Sequence, residues 1–129
     1  MVCGRAGSII SVPALTFGPA VIDLHCHVLP GIDDGPATIE GSLALARIAA
    51  AAGTRVLVAT PHVNGRYRND ARTIARLVTE LNARLAAEGV NCEDGAPLEV
   101  RAGAEVALTT IAELDPTRRF SSASGCANH

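Results

Sequence analysis

The stretch that decides the fold is Val21-Ile22-Asp23-Leu24-His25-Cys26-His27, continuing as VLPGIDDGPA to Ala37. Val21–Cys26 reads as a short strand. Pro30, Gly31, Gly35 and Pro36 then punctuate a loop over residues 27–37. Residues two apart on a strand share a face. His25 and His27 therefore point the same way, with Asp23 one step earlier on that face. Ile22, Leu24 and Cys26 point the other way and are expected to pack under covering helices.

Reading outward, Thr38 is placed to cap a helix running to Ala52, with Gly53 as its stop. Ile39, Leu43, Ala46 and Ala50 recur at helical spacing. Val56–Ala59 is an apolar, partly β-branched run that suits a parallel strand covered on both faces. Residues 60–69 read as a loop. A second helix is expected over Asp70–Glu88, with Asn69 or Asp70 as cap and Gly89 as stop. Its apolar face is Ile74, Leu77, Val78, Leu81 and Leu85. Leu98–Ala102 reads as a third strand, and a third helix is expected over Thr109–Leu114. The order β-α-β-α-β-(α) belongs to the α/β class, with parallel strands joined by right-handed crossovers. A closed (β/α) barrel takes roughly 200–250 residues, so 129 residues supply about half of one. The chain divides into an extension over 1–20, one α/β unit over 21–114 and an irregular tail over 115–129.

Composition narrows the function. The chain is 48% hydrophobic and 19% charged, with a net charge of −2, as in a globular domain. No basic excess exists to neutralise phosphates, and aromatics make up only 2% of the residues. Nucleic-acid binding through charge or base stacking is thereby excluded. The four cysteines, Cys3, Cys26, Cys92 and Cys126, form no CxxC pair, which suits a reduced, cytoplasmic chain. An uncharged run over residues 6–22 follows Arg5, but Pro13, Gly18 and Pro19 interrupt it. Neither a signal peptide nor membrane insertion is expected.

The chemistry lies in where the polar residues fall. His25 and His27 close the first strand, His62 follows the second in Thr60-Pro61-His62, and Glu105 follows the third in Gly103-Ala104-Glu105. Active sites in α/β folds are built at that edge. Asp33-Asp34-Gly35 leaves the HxH strand directly and can reach back over it, although Asp-Gly pairs are also common turn formers. A mixed nitrogen and oxygen donor set suits Mn, Fe, Zn or Co better than Ca or a thiolate site. An excess of donors over one ion's needs suggests two or three ions. Arg66 and Tyr67 lie beside His62 and are candidates for contacting an anionic substrate. Arg72, Arg76 and Arg84 read as the wet face of the second helix. Cys26 lacks the C-x5-R spacing of a cysteine phosphatase and reads as a small buried residue.

The motifs DLHCHVLPGIDDG, VATPH and GAEV, in this order, resemble the PHP (polymerase and histidinol phosphatase) superfamily. Within it, LPGIDDGP, ATPHVNGRY and AGAEV resemble the CpsB-type bacterial protein-tyrosine phosphatases of capsule and exopolysaccharide loci. The resemblance covers residues 21–114. It implies the N-terminal half of a distorted (β/α)7 barrel and a two- or three-ion centre, usually manganese. Carried over by position, His25, His27, Asp34, His62 and Glu105 are the metal ligands, supported by Asp23 and Asp33. The implied reaction is hydrolysis of phosphotyrosine on the tail of a bacterial tyrosine kinase by a metal-bound hydroxide. The superfamily's later motifs do not occur in these 129 residues. The competing expectations are a small-molecule phosphoesterase of the histidinol-phosphatase kind, a non-catalytic metal-binding remnant, and an amidohydrolase-type enzyme. The DDG and GAE elements count against the last.

Overall fold

A computed structural model describes residues 19–111 of the chain. The extension before residue 19, the tail after 111, Cys3, Cys126 and the end of the predicted third helix lie outside the described residues. The elements run β1 (Val21–Cys26), α1 (Ile39–Ala51), β2 (Thr54–Ala59), β3 (His62–Val63), α2 (Ala71–Ala87), β4 (Glu99–Ala102), β5 (Glu105–Val106) and α3 (Leu108–Ile111). β1, β2 and β4 form one parallel sheet in the order β1-β2-β4, and β3 and β5 form a second, two-stranded parallel pair.

Both long helices begin and end where side-chain chemistry dictates. Thr38 caps α1, its hydroxyl accepting from the Gly41 N–H at 3.2 Å. Gly53, just beyond α1, has φ 91°, a left-handed conformation that glycine adopts without a steric penalty. Asp70, rather than Asn69, caps α2 by accepting from the Thr73 N–H at 2.8 Å. All five predicted face residues of α2 are buried: Ile74, Leu77, Val78, Leu81 and Leu85. They pack with Leu43, Ala46 and Ala50 of α1 and with Leu57, Ala59 and Val100 of the sheet. A leucine as fully buried as Leu57 contributes about 1.5–3 kcal/mol relative to an exposed one.

β2 is central and covered, as its apolar run predicts. β4 has its free edge blunted by a helix side chain. Asn82 of α2 accepts from the Val100 N–H at 2.9 Å and donates to the Val100 carbonyl at 2.8 Å. β1 departs from expectation. Ile22 and Leu24 are 58% and 72% exposed, not covered by helices. Alternation assigns a side chain to a face but does not say whether that face is covered. α1 packs on β2 and α2 on β4, and β1 is the edge strand that neither helix packs over to the same extent. Among the described residues nothing covers Ile22 and Leu24.

The second departure is that His62 and Glu105 sit on strands and not in loops. After Pro61 and Gly103 the β2–β4 ladder resumes as β3–β5, with Glu105 N–H bonding to the Pro61 carbonyl at 3.0 Å and Ala107 N–H to Val63 at 3.1 Å. Two-residue strands carry no periodicity to read.

Candidate metal centre

The ends of three adjacent strands deliver the polar side chains to one place. β1 ends next to β2, and Thr60 stitches them together. Its N–H donates to the Cys26 carbonyl at 2.8 Å, and its hydroxyl accepts from the Cys26 N–H at 3.1 Å. Pairing in β3–β5 sets His62 directly opposite Glu105. The Gly103 N–H meets the Ala59 carbonyl at 2.8 Å. A Cβ on Gly103 would stand 2.9 Å from Val58 Cγ1, so only glycine lets the chain pass this close.

Three donor atoms form a nearly equilateral triangle. His25 Nε2 and His27 Nε2 are 3.2 Å apart, and Glu105 Oε2 lies 3.4 Å from the first and 3.2 Å from the second. Donors bound at about 2.0–2.2 Å to one ion sit roughly 3.0–3.6 Å from one another. The triangle therefore fits a single divalent cation. Its chemistry, two imidazoles and one carboxylate, suits a transition metal.

A second grouping brings Asp34 Oδ1 within 3.4 Å of His62 Nε2 and 3.5 Å of His27 Nδ1. His27 Nδ1 is already engaged, however, at 2.7 Å from Asp33 Oδ2. An ionised carboxylate only accepts, so Nδ1 carries the proton and Nε2 keeps the lone pair. His27 can thus offer Nε2 to the triangle, and Asp34 and His62 remain as a two-donor pair beside it. His62 Nδ1 also lies 3.3 Å from Glu105 Oε2, which makes this carboxylate oxygen the common neighbour of three imidazoles.

Asp33 organises the centre from beneath. Its side chain is 1% exposed. Besides His27 it accepts from the Gly35 N–H at 2.9 Å and the His62 N–H at 3.1 Å. Burial pushes the Asp33 carboxyl up, but hydrogen bonds from Gly35, His27 and His62 together outweigh it and hold the group below the ordinary aspartate range. A Cβ on Gly35 would meet the His27 carbonyl oxygen at 2.5 Å, so the DDG turn also needs its glycine. Asp23 acts on the backbone, accepting from the His25 N–H at 3.0 Å, and among the described residues makes no hydrogen bond to an imidazole.

Arg66 and Tyr67 are brought to the same rim. The Tyr67 ring stacks on His62 with centroids 5.6 Å apart and planes 12° apart, and the Arg66 guanidinium carbon lies 5.1 Å from the Tyr67 centroid. Asn64 makes the turn that folds them back, its side chain accepting from the Arg66 and Tyr67 N–H groups, both at 2.9 Å. Burial, and then the nearby Asp23 charge, push the Cys26 thiol up, which disfavours a nucleophilic thiolate. Thr60, Asn64 and Asn69 hold this rim together, a role that the sequence does not assign to any of them. Their signal in the sequence is that they are polar residues in or just after the Thr-Pro-His motif.

The comparisons agree with the geometry. The family described as capsular polysaccharide synthesis, CpsB/CapC, matches residues 21–115. The chain is 37% identical over 100 residues to the tyrosine-protein phosphatase YwqE of Bacillus subtilis, covering 77% of this chain and 37% of that protein. It is 31% identical over 83 residues to the putative tyrosine-protein phosphatase CapC of Staphylococcus aureus, covering 62% and 32%. Among solved structures it resembles a chain from the crystal structures of YwqE from B. subtilis and CpsB from Streptococcus pneumoniae, described as unique metal-dependent tyrosine phosphatases. That match has a TM-score of 0.62 and 35% identity and covers 72% of this chain and 38% of the other. The chain thus spans about a third of the length of these relatives. By sequence, by fold and by the strand ends on which its imidazoles and carboxylates converge, the chain belongs to the CpsB/CapC family.

Proposed function

We propose that residues 21–111 form a metal-holding part of a metal-dependent protein-tyrosine phosphatase acting in the cytoplasm on the phosphotyrosine tail of a bacterial tyrosine kinase, in control of capsule or exopolysaccharide synthesis. The observation that carries this reading is the triangle of His25 Nε2, His27 Nε2 and Glu105 Oε2, whose edges of 3.2–3.4 Å suit one cation. The relatives' names, tyrosine-protein phosphatase and metal-dependent tyrosine phosphatase, support the substrate class. We assign His25, His27 and Glu105 to one ion and Asp34 and His62 to a second, with manganese as the metal. Asp33 fixes the tautomer of His27, and Asp23 braces the backbone of His25.

Bound divalent cations would supply Lewis acidity toward the phosphoryl oxygens and an activated water. The chain's own residues do the rest. The donors are fixed at strand ends before substrate arrives, so the charge on the phosphoryl group meets preorganised partners. Arg66 and Tyr67, stacked over His62, offer a cation and an aromatic face to an incoming aryl phosphate. In the hydrolysis, the ester P–O bond breaks, the water oxygen joins phosphorus and the phenolate takes up a proton. Phenolate is a competent leaving group, since tyrosine ionises at about 10. No phosphocysteine forms.

The test is phosphate release from a phosphotyrosine peptide by the full chain loaded with Mn2+, set against its release from a small alkyl phosphate. Hydrolysis of the peptide that stops on chelation and returns with Mn2+ is the expected result. Undiminished hydrolysis by the metal-free chain would overturn the reading. A metal-loaded, folded, inert chain would restrict it to metal binding.

A further inference from the structure

The sequence marks Asn69 only as a candidate helix cap, and the structure gives that cap to Asp70. Asn69 does something else. Its side-chain nitrogen donates to the Ile32 carbonyl at 2.9 Å and to the His62 carbonyl at 2.8 Å. An amide nitrogen has two N–H groups, and here each meets an acceptor that cannot donate. That also fixes which way the amide points. The two carbonyls belong to separate segments. One lies two residues before Asp34, and the other is that of His62 itself. The His62 backbone is therefore gripped on both sides, its N–H by Asp33 at 3.1 Å and its carbonyl by Asn69.

We infer that Asn69 is a positioning residue for the Asp34–His62 pair, clamping the loop that carries Asp34 to the strand that carries His62 and leaving the His25–His27–Glu105 triangle to other supports. This rests on the metal-binding reading above and adds a division of labour within it. Neither His25 nor Glu105 receives a hydrogen bond from Asn69. His25 is braced by Asp23, and the Glu105 N–H by the Pro61 carbonyl. The Asp34 Oδ1 to His62 Nε2 separation of 3.4 Å depends on two segments keeping register, and Asn69 is a side chain bonded to the backbone of both. Partners that orient metal ligands in this way typically govern 10–100-fold in affinity.

The experiment is a Zn2+ titration of the full chain followed through imidazole 15N shifts, which report His25 and His62 separately with a diamagnetic ion. Asn69→Leu keeps the size of the side chain and removes both donors. It should raise the Zn2+ needed to half-saturate His62 by about tenfold and leave His25 within a factor of about two. Asn82→Leu is the control. It removes an equivalent double hydrogen bond from β4, remote from the centre, and should leave the ratio between the two histidines unchanged. Equal shifts of His25 and His62 in Asn69→Leu, or none, would overturn the inference. In the unmutated chain the Asn69 side-chain amide protons should exchange slowly and shift in step with His62 rather than His25. Free exchange there would overturn it without any variant having to fold. A wild-type chain in which neither histidine responds to Zn2+ brings down the metal reading itself, and this role with it.

Discussion

His62 and Glu105 face each other across the short parallel ladder of β3 and β5, with Nδ1 of the imidazole 3.3 Å from Oε2 of the carboxylate. Backbone pairing sets this approach, since the register comes from the Glu105 N–H on the Pro61 carbonyl. The pairing also carries Glu105 to the ends of His25 and His27, delivered by β1 on the far side of β2. One carboxylate oxygen is thereby the meeting point of residues from three strands.

Glu105→Ala therefore removes a vertex of the triangle without touching the core, because its side chain is 44% exposed. Affinity for the first divalent cation should fall by at least about a hundredfold, at the upper end of what even an indirect partner governs. Stability of the metal-free chain should stay within about 0.5 kcal/mol, as for surface positions generally. Calorimetric titration with Mn2+ and urea unfolding in chelator separate the two. A parallel loss of stability would mean that Glu105 is a structural residue.

Asp33→Asn tests a different link. The carboxylate accepts from three N–H groups on His27, Gly35 and His62, and an amide of the same shape can accept through only one oxygen. The His27 tautomer is then no longer fixed with its lone pair on Nε2. Metal affinity should fall by about 10–100-fold, and stability should drop by about 1–3 kcal/mol because buried N–H groups lose their acceptor. Imidazole 15N spectra in the absence of metal give the tautomer directly. An unchanged Nδ1–H form would show that Asp33 does not set it.

Gly35→Ala isolates close approach from backbone conformation. The added Cβ would lie 2.5 Å from the His27 carbonyl oxygen, whereas at Gly65 nothing lies within 4 Å, and neither glycine has positive φ. Gly35→Ala should cost about 1–3 kcal/mol, the range for forced overpacking. Gly65→Ala should be nearly neutral. Denaturation midpoints for the pair decide it, and equal midpoints would mean the DDG turn relaxes around a methyl group.

What the sequence made legible depends on the length of each signal. α2 announces itself through five apolar residues at helical spacing, all of them buried. The HxH pair is legible because alternation alone aims His25 and His27 the same way. Ile22 and Leu24 obey the same alternation and yet are exposed, because coverage depends on which strands the helices pack over. β3 and β5 are too short for any period, so the pairing that makes His62 and Glu105 neighbours was invisible. Asn69 looked like a cap because asparagine before a helix usually is one, and its bonds to Ile32 and His62 depend on tertiary contacts that no local pattern records.

The cap at Asp70 gives a prediction with a sign in pH. The Thr73 N–H on its carboxylate, chiefly, holds Asp70 below the ordinary aspartate value, against a smaller opposing effect of burial. A group whose folded-state pKa is depressed stabilises the fold while it is ionised in both states. That contribution is complete above the unfolded value of about 3.9 and drains away as pH falls through the lower folded value. The negative charge also faces the positive end of the helix. Asp70→Ala should therefore cost about 1 kcal/mol near neutral pH, the usual worth of a cap. The gap between variant and wild type should hold steady down to about pH 5 and narrow below about pH 4. Urea midpoints of both chains along that range test it. A gap that widened on acidification would mean that the carboxyl is better accommodated in its protonated form, and that the hydrogen bond from Thr73 is not what holds it.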